Sequence, residues 1–158
     1  IGLKTSDRVF DPCCGTGGFL IAAMHSMLQQ TDCLDLQRSI RKEQLMGIEL
    51  QDYMFTIATT NMILRGDGKS NLHNFDFLAE SASKLQKEMH CTVGMMNPPY
   101  SQGSKDDPDK YEIAFTEHLL DSLSEDARAI VIIPQSSVTG KTTTEKIVKR
   151  NILKHHTL

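Results

Sequence analysis

The sequence predicts an α/β fold in which a doubly wound, mostly parallel sheet carries helices on both faces. Short apolar runs alternate along the chain with longer segments whose apolar residues have helical spacing, a pattern typical of parallel sheets covered on both sides. Polar residues follow several of these runs, and ligands of such sheets bind where the strands end. With 158 residues, residues 1–158 are expected to form one domain around a single core.

The predicted strands are five short apolar runs, residues 8–11, 44–49, 72–76, 91–96 and 127–133. The predicted helices are residues 17–29, 52–64, about 80–89, 111–123 and 143 to about 153. Asp52 is expected to cap the second of these helices, and Gly66 and Gly68 to end it. Pro134 closes the last strand. The polar residues 101–109 are expected to form a mobile loop.

Composition excludes several classes of protein. No apolar run reaches the length of about eighteen residues that a membrane-spanning helix needs, and the first residues lack the features of a secretory signal. The four cysteines show no Cys-x-x-Cys spacing and the six histidines are mostly scattered. We therefore expect reduced thiols, a cytoplasmic location and no metal site. The chain does not begin with Met, so we expect it to be a fragment of a longer protein.

The charge of the chain is unevenly distributed. Residues 141–158 contain five lysines and arginines against Glu145 alone, a balance of +4, which leaves −7 for the remainder of a chain of net charge −3. A basic last helix can contact phosphates. A solvated helix face explains the same residues, so both interpretations stay open.

Asn97-Pro98-Pro99-Tyr100 follows the predicted fourth strand and suits a planar amine. The two prolines donate no backbone hydrogen bond and stiffen the segment. The Asn97 amide oxygen and the Pro98 carbonyl are then expected to be free to accept from one NH2 group, with Tyr100 stacking on the attached ring. A simple turn at the end of a strand is the alternative.

The first strand is followed by a glycine-rich turn, Asp11-Pro-Cys-Cys-Gly15-Thr16-Gly17-Gly-Phe. Glycines here let the chain turn sharply and let a ligand approach the backbone. The spacing does not match G-x-G-x-x-G, and no phosphate-binding loop of the G-x-x-x-x-G-K-[ST] type occurs. Asp11 disfavours a phosphate but can accept from an ammonium group. A turn without a ligand is the alternative.

Two further carboxylates fall near predicted strand ends. Glu49 ends the second strand, where a carboxylate can accept from both hydroxyls of a ribose, although a surface carboxylate is the alternative. Asp76 ends the third strand, where it can accept from an adenine amino group beside Phe77, or else cap the next helix. A ligand with a cationic amino-acid end, a ribose and an adenine fits all of these residues. S-adenosylmethionine has these parts and no phosphate.

These motifs give the chain a resemblance to the catalytic domain of DNA adenine-N6 methyltransferases, above all the methylation subunit of type I restriction–modification systems. The resemblance rests on the Asp11 to Leu20 segment, on Gly47-Ile-Glu-Leu50 with Asn61-Met-Ile-Leu64, and on Asn97-Pro-Pro-Tyr100. It implies a Rossmann-like S-adenosylmethionine-dependent methyltransferase fold. The sequence Asn74-Phe-Asp-Phe-Leu78 departs from the His-Gly-Asp-like pattern expected there.

The resemblance implies roles for individual residues. The cofactor would be bound by Asp11, Gly15, Thr16, Gly17, Glu49, Leu50, Asp76 and Phe77. A target adenine extruded from double-stranded DNA would be held by Asn97, Pro98, Pro99 and Tyr100. Specificity and restriction subunits are the implied partners. Neither a strong general base nor a cysteine nucleophile is required.

The same resemblance implies that parts of the family's catalytic domain lie outside residues 1–158. The family usually has a cofactor-contacting segment ahead of the glycine-rich turn and a β-hairpin after the last helix, and both are expected to lie outside residues 1–158. We therefore expect weak cofactor binding and little methylation by residues 1–158 alone. Methyltransferases acting on rRNA bases or on a protein glutamine are an alternative within the same fold. A scaffold without catalytic activity is another.

Overall fold

A five-stranded parallel sheet forms the centre of the molecule. The computed structural model describes residues 1–66, 71–104, 111–140 and 142–157. Within these residues the strands are β1 (Val9–Asp11), β2 (Leu45–Ile48), β3 (Asn71–His73), β4 (Val93–Met96) and β5 (Arg128–Val131). Their order is β3-β2-β1-β4-β5, and every neighbouring pair is parallel. The sheet grows from β1 to β3 in one direction and from β4 to β5 in the other. The predicted doubly wound sheet is confirmed, with its switch point between β1 and β4.

Helices cover both faces of this sheet. They are α1 (Gly18–Leu28), α2 (Leu34–Glu43), α3 (Asp52–Leu64), α4 (Ala82–Met89), α5 (Glu112–Asp121), α6 (Gln135–Thr139) and α7 (Thr143–His155), with a short 3-10 helix at Phe77–Ala79. Successive strand residues point to opposite faces. Val9 therefore joins a core with α1, α2 and α3, while Phe10 joins a second core with α4 and α5.

One glycine in the sheet is required by packing. A Cβ on Gly47 in β2 would lie 2.5 Å from Leu72 Cδ2 and 2.9 Å from Leu20 Cδ1. Both distances are far below van der Waals contact between carbon atoms. The absence of a side chain therefore lets α1 and β3 pack closely at the carboxyl end of β2.

Helices α2 and α6 were not predicted from the sequence. Helix α2 is mostly polar: Leu36 and Ile40 lie four residues apart on one face, but only Ile40 is buried and Leu34 is 79% exposed. Helix α6 is a single short turn that follows Pro134 and buries only Ser137. The few apolar residues of α2 have helical spacing, a weak signal that was missed, whereas α6 is too short to carry an apolar period.

Two predicted boundaries near the ligand-binding edge are wrong. The third strand ends at His73 rather than at Asp76, because Asp76 caps the 3-10 helix by accepting from the Leu78 N–H at 3.0 Å. Asp52 is the first residue of α3 and not its cap, which is Gln51. Its carboxylate lies in the first turn, where the helix dipole favours a negative charge.

Other boundaries agree with the sequence within about two residues. Gly66, with φ of 89°, follows the end of α3 as predicted. The second predicted terminator, Gly68, lies outside the described residues, as do residues 105–109 of the predicted loop.

Candidate active site at the carboxyl edge of the sheet

The glycine-rich turn crosses the carboxyl ends of β1 and β2. Gly15 and Gly17 have φ of 55° and 83°, in the left-handed region that favours glycine. The Cys14 N–H donates to the Ile48 carbonyl at 3.0 Å, and the Gly17 N–H donates to the Cys14 carbonyl at 2.7 Å. These bonds hold the turn against the end of β2, and α1 begins directly after Gly17. Thr16 itself is exposed.

Glu49 is held in place by two backbone amides. Its Oε2 accepts from the Gly15 N–H at 2.9 Å, and its Oε1 accepts from the Gln51 N–H at 2.8 Å. The residue is only 9% exposed. Each carboxylate oxygen retains capacity for another hydrogen bond, so Glu49 is oriented by the protein and still able to accept from a ligand.

Asp76 lies at the same edge, three residues beyond β3. One oxygen of its carboxylate, Oδ1, caps the 3-10 helix, which is the structural alternative that the sequence left open. The neighbouring Asn74 donates to the Glu49 carbonyl at 2.9 Å and so holds this turn against the end of β2. Phe77 is buried, with its ring 5.9 Å from that of Phe10, and it contributes an apolar wall.

Asn97 and Tyr100 contact each other directly. The Tyr100 hydroxyl lies 2.7 Å from Asn97 Oδ1 and 3.2 Å from the Ile132 carbonyl, and it can donate to either oxygen. The prediction that the Asn97 amide oxygen is free is therefore wrong, although an amide oxygen can accept a second hydrogen bond. No donor within the described part of the chain reaches the carbonyl of Pro98.

A single cleft of about 260 Å³ joins the two halves of the predicted site. Of the residues that the sequence analysis selected, those lining the cleft are Gly15, Glu49, Leu50, Asp76, Phe77, Asn97 and Pro99. The selected residues that do not line it are Asp11, Thr16, Gly17, Pro98 and Tyr100. Asp11 lies beneath the glycine-rich turn, where its Oδ1 accepts from the Cys13 N–H at 3.1 Å.

The cleft is electrically negative. Glu49 and Asp76 line it, none of its lining residues within the described part of the chain is a lysine or arginine, and Asp11 lies nearby, at the end of β1. Burial raises the pKa of Asp11 to about 7, the Cys13 N–H opposes this shift, and the Glu49 carboxylate adds to it. Burial, aided by Asp11 and Glu49, also raises the pKa of the Cys13 thiol well above its usual value. The cleft therefore favours a cation over a phosphate, and Cys13 remains a protonated thiol that is a poor nucleophile.

Comparison with known proteins identifies the family. A family model described as N-6 DNA Methylase matches residues 2–158. The chain belongs to the N-6 DNA methylase family. The Type II restriction enzyme and methyltransferase RM.BcgI of Heyndrickxia coagulans is 45% identical over 159 residues, which is 100% of this chain and 25% of that protein. The Type I restriction enzyme EcoEI methylase subunit of Escherichia coli is 25% identical over 157 residues, 92% of this chain and 32% of that subunit. This methylase chain thus spans about a quarter to a third of the length of these relatives.

Solved structures confirm the methyltransferase fold. The Type I restriction enzyme EcoKI M protein matches this N-6 DNA methylase with a TM-score of 0.79 and 20% identity, over 95% of this chain and 34% of that one. An S-adenosylmethionine-dependent methyltransferase from Agrobacterium tumefaciens matches with a TM-score of 0.52 and 10% identity, over 92% of this chain and 44% of that one. Both likenesses concern the fold. The expected resemblance to the methylation subunits of restriction–modification systems is confirmed by the family match and the relatives together.

The N-6 DNA methylase cleft includes residues that sequence reasoning missed. They are Pro12, Cys13, Gln51, Met54, Phe75, Leu78, Gln102 and Phe115. Of these, Cys13 was expected only to be a reduced thiol. Met54 and Phe115 come from α3 and α5, and in the sequence they are indistinguishable from core residues of an amphipathic helix. The side-chain amide of Asn61 in α3 also donates to the Thr16 carbonyl at 3.0 Å, a long-range contact that no local pattern indicates.

The rest of the described methylase offers no metal site and no membrane-spanning helix. The described residues contain no group of three or more His, Cys, Asp or Glu side chains arranged to hold a metal ion. None of their helices is long and apolar enough to cross a membrane. Helix α7 packs on α5 through Val148 and Ile152 against Ile113, with basic residues elsewhere on its surface, so the phosphate-contacting and the solvated interpretations both stay open.

Proposed function

We propose that this methylase domain transfers a methyl group from S-adenosylmethionine to N6 of adenine in DNA, as the modification part of a restriction–modification enzyme. One observation carries the proposal. A single cleft is lined on one side by Glu49 and Asp76 and on the other by Asn97 and Pro99. A methyl donor and its acceptor have to meet in one such place.

The cofactor half of the cleft fits S-adenosylmethionine in its charge and its acceptors. The cofactor would bring a sulfonium methyl group, an electrophile that reacts with a well-aligned lone pair. Glu49, already oriented by two amides, would accept from the ribose hydroxyls. Asp76 would accept from the adenine amino group beside Phe77. Gly15, Thr16, Gly17 and Leu50 would border the cofactor. The negative surroundings, including Asp11, favour its positive charge.

The acceptor half suits an amine whose lone pair is delocalised into a ring. Asn97 Oδ1 and the Pro98 carbonyl would accept from the two N–H groups of the target adenine, which favours a pyramidal nitrogen with its lone pair available. Tyr100 would stack on the base and Pro99 would border it. Once the nitrogen has been methylated its extra proton passes to water, so the chemistry requires alignment more than a strong base.

The proposed DNA partner is a duplex from which the adenine is flipped out. The proposed protein partners are the specificity and restriction subunits of a type I complex, by analogy with the EcoEI methylase subunit. RM.BcgI is described as both a restriction enzyme and a methyltransferase, which supports the link to restriction. Residues 1–158 alone are predicted to bind cofactor weakly and to methylate little DNA.

Mass spectrometry of nucleosides tests this proposal. DNA from cells expressing the full-length protein is expected to contain N6-methyladenine, and DNA from cells expressing the Asn97→Ala variant is expected to contain far less. New methyl groups on rRNA bases or on a protein glutamine instead of DNA would favour the other acceptors within this fold. If calorimetry detected no binding of S-adenosylmethionine to the full-length protein, the chain would be a scaffold.

A further inference from the structure

A buried carboxylate outside the cleft holds the segment that follows Tyr100. Glu112, the first residue of α5, is 7% exposed. Its Oε1 accepts from the Ser101 N–H at 2.7 Å, and its Oε2 accepts from the Ser137 hydroxyl in α6 at 3.1 Å. One side chain thereby joins the chain beyond Asn97-Pro-Pro-Tyr100 to two helices.

The backbone held in this way has an unfavourable conformation. Ser101 has φ of 60° although it is not glycine, and such a conformation persists when surrounding contacts impose it. Two residues further on, the backbone packs closely against Tyr111. A Cβ on Gly103 would lie 2.7 Å from the Tyr111 backbone nitrogen and would also collide with the Tyr111 ring. The segment after Tyr100 is therefore bonded to Glu112 through Ser101 and packs against Tyr111 at Gly103, a position that leaves no room for a side chain.

The same carboxylate also contacts the helix that follows the second hydrogen-bond acceptor of Tyr100. The Tyr100 hydroxyl lies within hydrogen-bonding distance of the carbonyl of Ile132, just after β5 and three residues before α6 begins. Ser137, in α6, donates to Glu112. Glu112 therefore contacts both the chain after Tyr100, at Ser101, and the helix α6 that follows Ile132, at Ser137. It is not among the residues lining the cleft.

We propose that Glu112 is a positioning residue for the target base: it fixes the backbone after Tyr100, and so the placement of the Tyr100 ring and of Asn97, without touching cofactor or base. This inference rests on the proposed function. A displacement of about 1 Å at a reacting group can reduce a rate about 10²-fold, so loss of the Glu112 contacts is expected to affect methyl transfer more than cofactor binding.

The test compares three variants of the full-length protein. In Glu112→Ala, kcat for methyl transfer to adenine is expected to fall at least tenfold, while Kd for S-adenosylmethionine changes less than twofold. The fluorescence of 2-aminopurine placed at the target position is also expected to fall. Glu112→Gln is expected to retain kcat within about threefold, because an amide oxygen can accept from Ser101 and its NH2 can donate to the Ser137 hydroxyl.

Glu145→Ala is the matched control. Glu145 is also 7% exposed, lies in the first turn of α7 and accepts from a backbone N–H, that of Thr142 at 2.8 Å. It also accepts from the Thr142 hydroxyl at 2.9 Å, so these capping contacts belong to the start of α7. Its loss is expected to lower the thermal midpoint about as much as Glu112→Ala does, with kcat within twofold of wild type.

Several results would overturn the inference. A Glu112→Ala protein with wild-type kcat would do so, as would parallel losses of cofactor affinity and kcat, which indicate a purely structural role. A Glu112→Gln protein as inactive as Glu112→Ala would show that the charge is needed for something other than positioning. A wild-type protein that binds cofactor but methylates no adenine would overturn the proposed function, and the role of Glu112 with it.

Discussion

Replacing Asp11 with asparagine is expected to raise the free energy of unfolding, relative to that of wild type, by more at pH 8 than at pH 4. Asp11 is 2% exposed, and its ionised form has lost most of its hydration. Its Oδ1 accepts from the Cys13 N–H, a bond that an asparagine oxygen can also make. The substitution therefore removes a buried charge and conserves the local hydrogen bond.

The magnitude follows from the pKa of Asp11, which rises from an ordinary value of 3.8 to about 7 on folding. The folded state thus holds a proton that the unfolded state has released between these two pH values. Stability contributed by Asp11 is fully present below pH 3.8 and is lost as the pH rises to about 7. The loss is about 1.4 kcal/mol per pH unit, or about 4 kcal/mol in total.

Urea unfolding at pH 4, 5, 6, 7 and 8 provides the assay. The free energy of unfolding of Asp11→Asn minus that of wild type is expected to grow by about 1.4 kcal/mol per pH unit up to pH 7 and then to level off. A difference that stayed constant with pH would refute the reasoning. Asp7→Asn is a contrasting control, because buried Asp7 accepts from Arg128 at 2.7 Å, and its neutralisation is expected to destabilise the chain at pH 8.

The same substitution is expected to weaken cofactor binding. If the carboxylate of Asp11 favours the cationic end of S-adenosylmethionine, Asp11→Asn should raise Kd about tenfold at pH 8, while the chain becomes more stable. Trade-offs of this kind between stability and function are common at binding sites. Unchanged affinity in calorimetry would restrict Asp11 to a structural role beneath the glycine-rich turn.

Substitutions at three other positions test separate parts of the account. Glu49→Gln loses one amide contact and one acceptor, so Kd for S-adenosylmethionine is expected to rise about 10- to 100-fold in calorimetry. Asp52→Asn, at an exposed position, is the control. Equal effects of the two substitutions would contradict the assignment of Glu49 to the cofactor. Tyr100→Phe keeps the ring and loses the hydroxyl, so kcat/KM for DNA is expected to fall less than about tenfold. Tyr100→Ala also loses the ring and is expected to lower kcat/KM at least about a hundredfold. Equal losses in the two variants would exclude stacking of the ring on the base. Gly47→Ala forces a methyl group against Leu72 and Leu20, so the free energy of unfolding measured with urea is expected to fall by about 1–3 kcal/mol. An unchanged midpoint would show that α1 and β3 can shift without loss of stability.

Features that depend on local pattern could be predicted from the sequence. The apolar run before Asn97 placed that residue correctly beyond β4. The run 44–49 placed Glu49 at the carboxyl end of β2, which in the structure ends one residue earlier, at Ile48. Parallel strands bring their carboxyl ends to one edge, so the two residues were expected near each other, and they do line one cleft. The sequence was least accurate where side chains override the strand pattern. Asn74 bonds to the end of β2 and Asp76 caps a turn, which ends β3 early.

Features that depend on distant partners could not be predicted. The contact of Tyr100 with the carbonyl of Ile132 joins residues 32 positions apart, and it depends on how β5 lies beside β4. Glu112 resembles an ordinary acidic residue in the first turn of a helix. Its partner Ser137 belongs to a helix that has no apolar period. Such contacts follow from the assembled sheet, and local sequence carries no signal of them.

The most direct test of the central claim, that one cleft holds cofactor and adenine in separate halves, is methyl transfer by full-length Asn97→Ala protein. The assay uses S-adenosylmethionine labelled in the methyl group, duplex DNA and identification of the labelled nucleoside. Label is expected in N6-methyladenine with wild type, and about 10² times more slowly with Asn97→Ala, while Kd for the cofactor changes less than twofold. Label on cytosine, or a wild-type rate with Asn97→Ala, would contradict the account.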